Sequence, residues 1–154
     1  MYVNTDFDKV IDIAKKRNIQ VIERPPHLAG DKVWTQPVIN HTDDELGGLD
    51  DEDIIVILQA NSPQITTEKI DECIDMLINN DLFEVHTIDS TMINNGAIQV
   101  IKRKVRNIKG KVCYNGVVMA DWVDVHTIED INKIEDPIER RKLKIQIIQR
   151  HQRK

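Results

Sequence analysis

The chain has 154 residues, 40% hydrophobic and 31% charged, with a formal net charge of −5. That is enough for one domain with a real core and an ordinary soluble balance, with no apolar run near the roughly 20 residues of a membrane-spanning helix. Met1-Tyr-Val-Asn-Thr-Asp6 lacks the basic start and apolar stretch of a secretory signal, so the expected setting is cytoplasmic, away from membranes.

Tyr2-Val3 opens a short strand, and Asp6 is placed to cap the helix after it. Phe7, Val10, Ile11 and Ala14 form one apolar helical stripe. Lys15-Lys-Arg17 suits the negative end of that helix, and Asn18 suits its exit. Ile19 to Ile22 reads as a second strand, which Pro25 and Pro26 prevent from pairing further. Residues 31–40 predict a weaker helix that Pro37 interrupts. The acidic run from His41 to Asp53 holds seven carboxylates around Gly47-Gly48 and reads as a solvated loop. Its spacing lacks the oxygen order of a calcium-binding loop.

Ile54 to Leu58 is five apolar residues in a row, the composition of a buried strand. A polar turn, Gln59-Ala-Asn-Ser-Pro63, leads into a helix from Thr66 or Thr67 to Asn79, with Ile70, Cys73, Ile74, Leu77 and Ile78 on its buried stripe. Strands follow at 82–88, 97–101 and 111–119, the last carrying a turn or bulge at Asn115-Gly116. Val123 to Val125 reads as a short strand. Thr127-Ile-Glu-Asp130 resembles a capping box with Asp in place of Glu. Asp136-Pro137 begins a last helix with Pro at the favoured first position. Cys73 and Cys113 form no metal or redox spacing and read as reduced core thiols. Strands alternate with helices early and cluster late, which predicts an α/β fold with a mainly parallel sheet and some antiparallel strands.

Four blocks then share an order with a known family. They are "YVNTDFDKVIDIAKKRNIQVIERPPHLAGD", "IIVILQANSPQITTEKIDECIDML", "NNGAIQVIKR" and "WVDVHTIEDI". Together, over residues 2–134, they resemble the acylneuraminate cytidylyltransferases and their CMP-sugar synthetase relatives. The resemblance implies a Rossmann-like nucleotidyltransferase domain of the nucleotide-diphospho-sugar transferase type, over residues 1–135, and the residues beyond it read by themselves as a basic C-terminal helix over 136–154. The resemblance also implies transfer of CMP from CTP to an acidic sugar with Mg²⁺ and release of pyrophosphate. The family's first strand and its glycine-rich basic loop have no counterpart here, so the fold is expected as an N-terminally truncated one. A triphosphate needs many N–H donors and cations around it, which such a loop supplies. None of the six glycines sits in a basic cluster near the start.

By the same resemblance, Gln59, Asn61 and Ser62 lie at the substrate, Asn95 and Gly96 line the sugar side, and Arg24 and Asp31 stand near the cleft. Read as residues alone, Asn61 and Ser62 are turn formers, Asn95-Gly96 is a tight turn, and Gln59 is a strand-end amide. Asp124 and His126 match the metal pair, with His126 where the family has a second acid. A carboxylate pair suits Mg²⁺, and histidine weakens such a site or favours a softer metal. No catalytic nucleophile or base is identified.

The segment 136–154 carries seven Lys/Arg against two Asp/Glu, a net +5, leaving −10 on the rest. Without interleaved aromatics it reads as a docking helix, and nucleic acid is not expected. Two function classes follow. One is a cytidylyltransferase that is incomplete as a single chain and needs a complementary N-terminal chain for its triphosphate loop. The other is a non-catalytic remnant or binding subunit that keeps the fold and associates, for instance as a homo-oligomer, through a sheet edge and the basic tail.

Overall fold

A computed structural model describes residues 1–30, 32–106 and 114–134. The chain divides into two compact units, Met1–Asp50 and Asp51–Lys154. The single domain expected over 1–135 spans both, and the expected helix from Asp136 lies outside the described residues.

The first unit is a β-α-β turn of chain followed by one more helix. Strand β1 (Tyr2–Thr5) pairs in parallel with β2 (Gln20–Glu23), and helix α1 (Asp8–Lys16) connects them. Ala14 is buried, Val10 and Ile11 are half-buried, and Phe7 remains 49% exposed, so the stripe covers its sheet mainly through its C-terminal half. Asp6 does not cap α1. The Thr5 hydroxyl accepts the Phe7 N–H at 3.2 Å, and the helix starts one residue later than expected, with Phe7 at the N-cap and no side-chain cap bond. The exit is as read: Asn18 takes a left-handed φ of 54°, tolerable for Asn, and Ile19 N–H closes onto Ala14 O at 2.9 Å. The Arg24 N–H makes the last bond to β1, on Thr5 O at 2.9 Å, before Pro25 and Pro26 end the pairing.

Helix α2 runs from Thr35 to Leu46, later than residues 31–40. Pro37 falls in its first turn, where backbone N–H groups have no intrahelical partner, so it starts the helix instead of interrupting it. The acidic run is therefore helical from His41 to Leu46, and Gly47, at φ 57°, ends it. Ile39 and Asp43 are its buried residues.

The second unit is built on four strands, β3 (Ile54–Leu58), β4 (Glu84–Ile88), β5 (Asn94–Lys102) and β6 (Asn115–Met119), in the order β3-β5-β4-β6. β5 runs antiparallel to both β3 and β4, and β4 is parallel to β6. Over the described strands the parallel and antiparallel pairings are thus evenly divided. The physical cause is the link from β4 to β5. Asp89 Oδ1 accepts from Thr91 N–H at 2.8 Å, Thr91 Oγ1 at 2.6 Å and Ile93 N–H at 3.0 Å, and Met92 takes φ 66°. So tight a turn returns the chain as an antiparallel neighbour, whereas a parallel one needs a crossover of a dozen residues or more.

Helix α3 (Thr67–Asn79) lies where its periodicity predicts, with the Thr66 hydroxyl accepting the Lys69 N–H at 3.4 Å, but Ile78, expected on its buried stripe, is 56% exposed in the last turn. Cys73 and Leu77 pack with Val85, Ile98, Val100 and Val118 in the main core. Val100 is paired with Val56 on one side and Val85 on the other, so the three share a sheet face. Burial pushes the Cys73 thiol up to about 11, as suits a core thiol. Cys113 lies outside the described residues. Segment 123–125 pairs in no ladder, contrary to the strand expected there. Its N–H groups go to the turn after β3, as described below. Helix α4 (Ile128–Ile131) starts with the capping box of Thr127 and Asp130. Among the described residues no helix is long and apolar enough to cross a membrane.

Candidate functional site at the strand ends of the second unit

β3, β4 and β6 all point the same way, and antiparallel β5 begins where they finish. Leu58 pairs with Ile98, Ile88 with Asn94, and Met119 with Ile88. The carboxyl ends of three strands and the start of a fourth therefore meet at one end of the sheet, where α/β proteins commonly bind ligands.

The turn after β3 is anchored by backbone. Gln59 N–H donates to Ala97 O at 3.0 Å, and its carbonyl accepts the Ser62 N–H at 3.2 Å. Val125 N–H donates to Asn61 O at 2.9 Å, and Val123 N–H to Gln64 Oε1 at 2.8 Å. These two bonds carry the segment after β6 across to the turn, so residues far apart in sequence are neighbours. Gln59, Asn61, Ser62, Asn95, Gly96, Asp124 and His126 are thereby collected at one end of one sheet. Ser62 is buried at 5% exposure. The side-chain amides of Gln59 and Asn61 make no hydrogen bond to the described residues, which leaves both free for a ligand's polar atoms.

Asn95 is different. Its Oδ1 accepts from the buried Thr87 hydroxyl at 2.6 Å and from Ala97 N–H at 3.2 Å, and its Nδ2 donates to Ala120 O at 2.7 Å. Thr87 Oγ1 in turn accepts the Ile98 N–H at 3.1 Å. The Asn95 amide braces the start of β5 against β4 and the exit of β6. Gly96 takes φ 69°, a conformation that favours glycine, and its N–H donates to Asn94 Oδ1 at 2.8 Å. A Cβ there would meet nothing within 4 Å, so the backbone is open to approach.

Asp124 and His126 touch each other, Oδ2 to Nε2 at 2.8 Å, on an exposed loop. Asp130 fixes the chain beyond them. Its Oδ2 accepts His126 N–H at 3.1 Å, Thr127 N–H at 2.9 Å and Thr127 Oγ1 at 3.0 Å, while Lys133 Nζ donates to Oδ1 at 2.7 Å. The Lys133 bond, then the bonds from Thr127 and His126, hold the Asp130 carboxyl well below the usual carboxylate range. As a metal site the pair supplies one hard carboxylate and one imidazole. Among the described residues no three His, Cys, Asp or Glu side chains gather for a metal. Mg²⁺ favours six oxygens and commonly takes one or two carboxylates plus substrate phosphates. One carboxylate suits only an ion that brings its other oxygen ligands with it, and the described residues supply no protein cage for a metal.

The remaining expected residues fall in the first unit. Arg24 is committed to Asn4, with Nε on Asn4 Oδ1 and Nη2 on Asn4 O, both at 2.8 Å. Asn4 Nδ2 reaches Thr42 Oγ1 at 2.9 Å and His41 Nδ1 at 3.3 Å. This network locks β1 to α2 at the carboxyl ends of the parallel pair. Asp31 lies outside the described residues. Asn4, Thr42, Gln64 and Thr87 were not foreseen, because each acts on a partner far along the chain and none stands in a local pattern. No known protein family matches the chain, and no curated protein matches it.

Proposed function

We propose that this chain is a cytidylyltransferase-like protein of activated acidic-sugar synthesis, with a Rossmann-like nucleotidyltransferase architecture and a polar ligand held at the strand ends of residues 51–134. The supporting observation is the convergence of Gln59, Asn61, Ser62, Gly96 and Asp124 there, with two amides that have no hydrogen-bond partner among the described residues. Amides suit sugar hydroxyls, a sugar carboxylate or the polar edge of cytosine, since each presents donors and an acceptor together. In the full reaction a sugar hydroxyl attacks the α-phosphate of CTP, and pyrophosphate leaves with the displaced electron pair. An ion on the phosphates would neutralise charge as it develops, beside Asp124. This chain's residues bind and orient.

The described residues contain no glycine-rich basic loop, which favours a second reading, a binding protein without turnover. Titration calorimetry with CTP, CMP, sialic acid and ketodeoxyoctonic acid, beside a pyrophosphate assay with CTP, Mg²⁺ and either acid, separates the two. Saturable binding that weakens about tenfold or more in Gln59→Ala, the loss of one or two hydrogen bonds, supports the site. Pyrophosphate release at enzyme-like rates supports the enzyme, and binding alone supports the second reading. No binding of any of the four compounds overturns both.

A further inference from the structure

One edge of the four-stranded sheet is made of an unusual segment. β3 is five apolar residues, and among the described strands it pairs with β5 alone. A continuous apolar run is the composition of a strand covered on both faces. Yet Val56 and Leu58 are 36% and 43% exposed. No proline and no charge interrupts the run, and those are the devices by which edge strands avoid pairing. The backbone direction is fixed by its bonds. Gln59 N–H donates to Ala97 O, and Asp53 O accepts from Arg103 N–H. Peptide groups alternate sides along a strand, so odd-numbered residues address β5. The N–H and C=O of Ile54, Val56 and Leu58 point outward.

We propose that this edge pairs antiparallel with β3 of a second copy of the chain, about a two-fold axis at Val56. The pairing is self-complementary, as a two-fold contact must be. Val56 meets Val56, Ile54 meets Leu58, and every outward N–H and C=O of the run gains a partner. Charge selects the orientation. Asp50, Asp51, Glu52 and Asp53 precede the strand, and a parallel pairing would set each beside its own counterpart. The antiparallel register places the acidic segments of the two copies at opposite ends of the paired run, away from one another. Within the chain, Lys104 Nζ lies 2.6 Å from Glu52 and Arg103 Nη1 3.8 Å from Asp51, which offsets part of the same charge. The contact sharpens the expected association through a sheet edge by naming its strand, register and partner. It does not depend on what the strand-end site binds.

Light scattering after size exclusion, from about 10 to about 500 µM across the range of transient interfaces, reads the outcome. The native chain is expected at the mass of two chains, falling to one on dilution. Val56→Lys brings two ammonium groups together at the axis and is expected to run as one chain with an unchanged circular dichroism spectrum. An equimolar mixture of Val56→Lys and Val56→Glu is expected to restore the two-chain mass. Val56→Pro removes only an outward N–H, so it separates the copies while sparing the β3–β5 ladder. A native chain that stays single at the highest concentration overturns the proposal. So do Val56→Lys and Val56→Pro variants that keep the two-chain mass, or a native pair whose Ile54 and Leu58 amides exchange as fast as in Val56→Lys.

Discussion

Gly116 sits inside β6 with side chains close around it. A Cβ there would come within 2.6 Å of Leu82 Cδ1, 2.9 Å of Met76 Sδ and 3.2 Å of Val85 Cγ2. Gly116→Ala must move the flexible ends of two half-buried side chains, so its cost falls at the low end of the about 1–3 kcal/mol that overpacking brings. Urea denaturation is expected to show a lower midpoint with an unchanged slope, and an unchanged midpoint counts against this account. In sequence, Asn115-Gly116 carries the signal of a turn or bulge. The position turns out to be strand, and its reason lies in α3 and in the approach to β4, which no dipeptide reveals. The same limit applies to the amides. Gln59 and Asn95 have like chemistry and both stand at strand ends, yet one is uncommitted and the other is a brace. The difference is made by Thr87 and Ala120, which sequence reading cannot bring to Asn95.

Among the elements, α3 was the most legible, because its apolar spacing and its Thr66 cap agree with the structure, although Ile78, at the C-terminal end of the stripe, is exposed. The capping box at Thr127 was legible for a similar reason, being satisfied within four residues. Its consequence extends to the candidate site, since Asp130 also holds the His126 N–H. The Asp130 carboxyl titrates below its unfolded value near 3.8. The stability it contributes is therefore full above that value and is lost as pH falls through the lower folded one. The side-chain carboxyl carbon shift of Asp130 is expected to stay constant down to about pH 4 and to move only below it. Asp130→Asn should speed amide exchange across 126–131. A variant whose amides exchange like those of the native chain would refute the role. Elements that depend on distant partners were read less well. Val123 to Val125 has strand-like composition, but its N–H groups are taken by Asn61 and Gln64, so no ladder forms. Asp6 lost the cap position to Phe7, which starts α1 without a side-chain cap bond.

At the scale of the whole molecule, the two units differ in what can stabilise them. Met1–Asp50 has two paired strands and a small buried set. Among its described residues, Asp51–Lys154 has four strands with α3 over a core of fully buried side chains. Two-stranded sheets are marginal, whereas a third strand and a packed helix add the apolar burial that independent stability needs. Native-state hydrogen exchange is expected to protect the amides of β4 and β5 about tenfold or more beyond those of β1 and β2. Equal protection in both units would show one cooperative fold instead.

The sequence by itself determined the α/β class, the positions of β3 and α3, and a polar turn at the end of an apolar strand. These are set by periodicity, propensity and turn chemistry within a few residues. Only the tertiary structure decided which strands run antiparallel, which amide is free and which is a brace, and that the segment after β6 returns to the Gln59–Pro63 turn. Those outcomes depend on satisfying buried hydrogen bonds and filling space between segments tens of residues apart, and a local pattern carries no record of them.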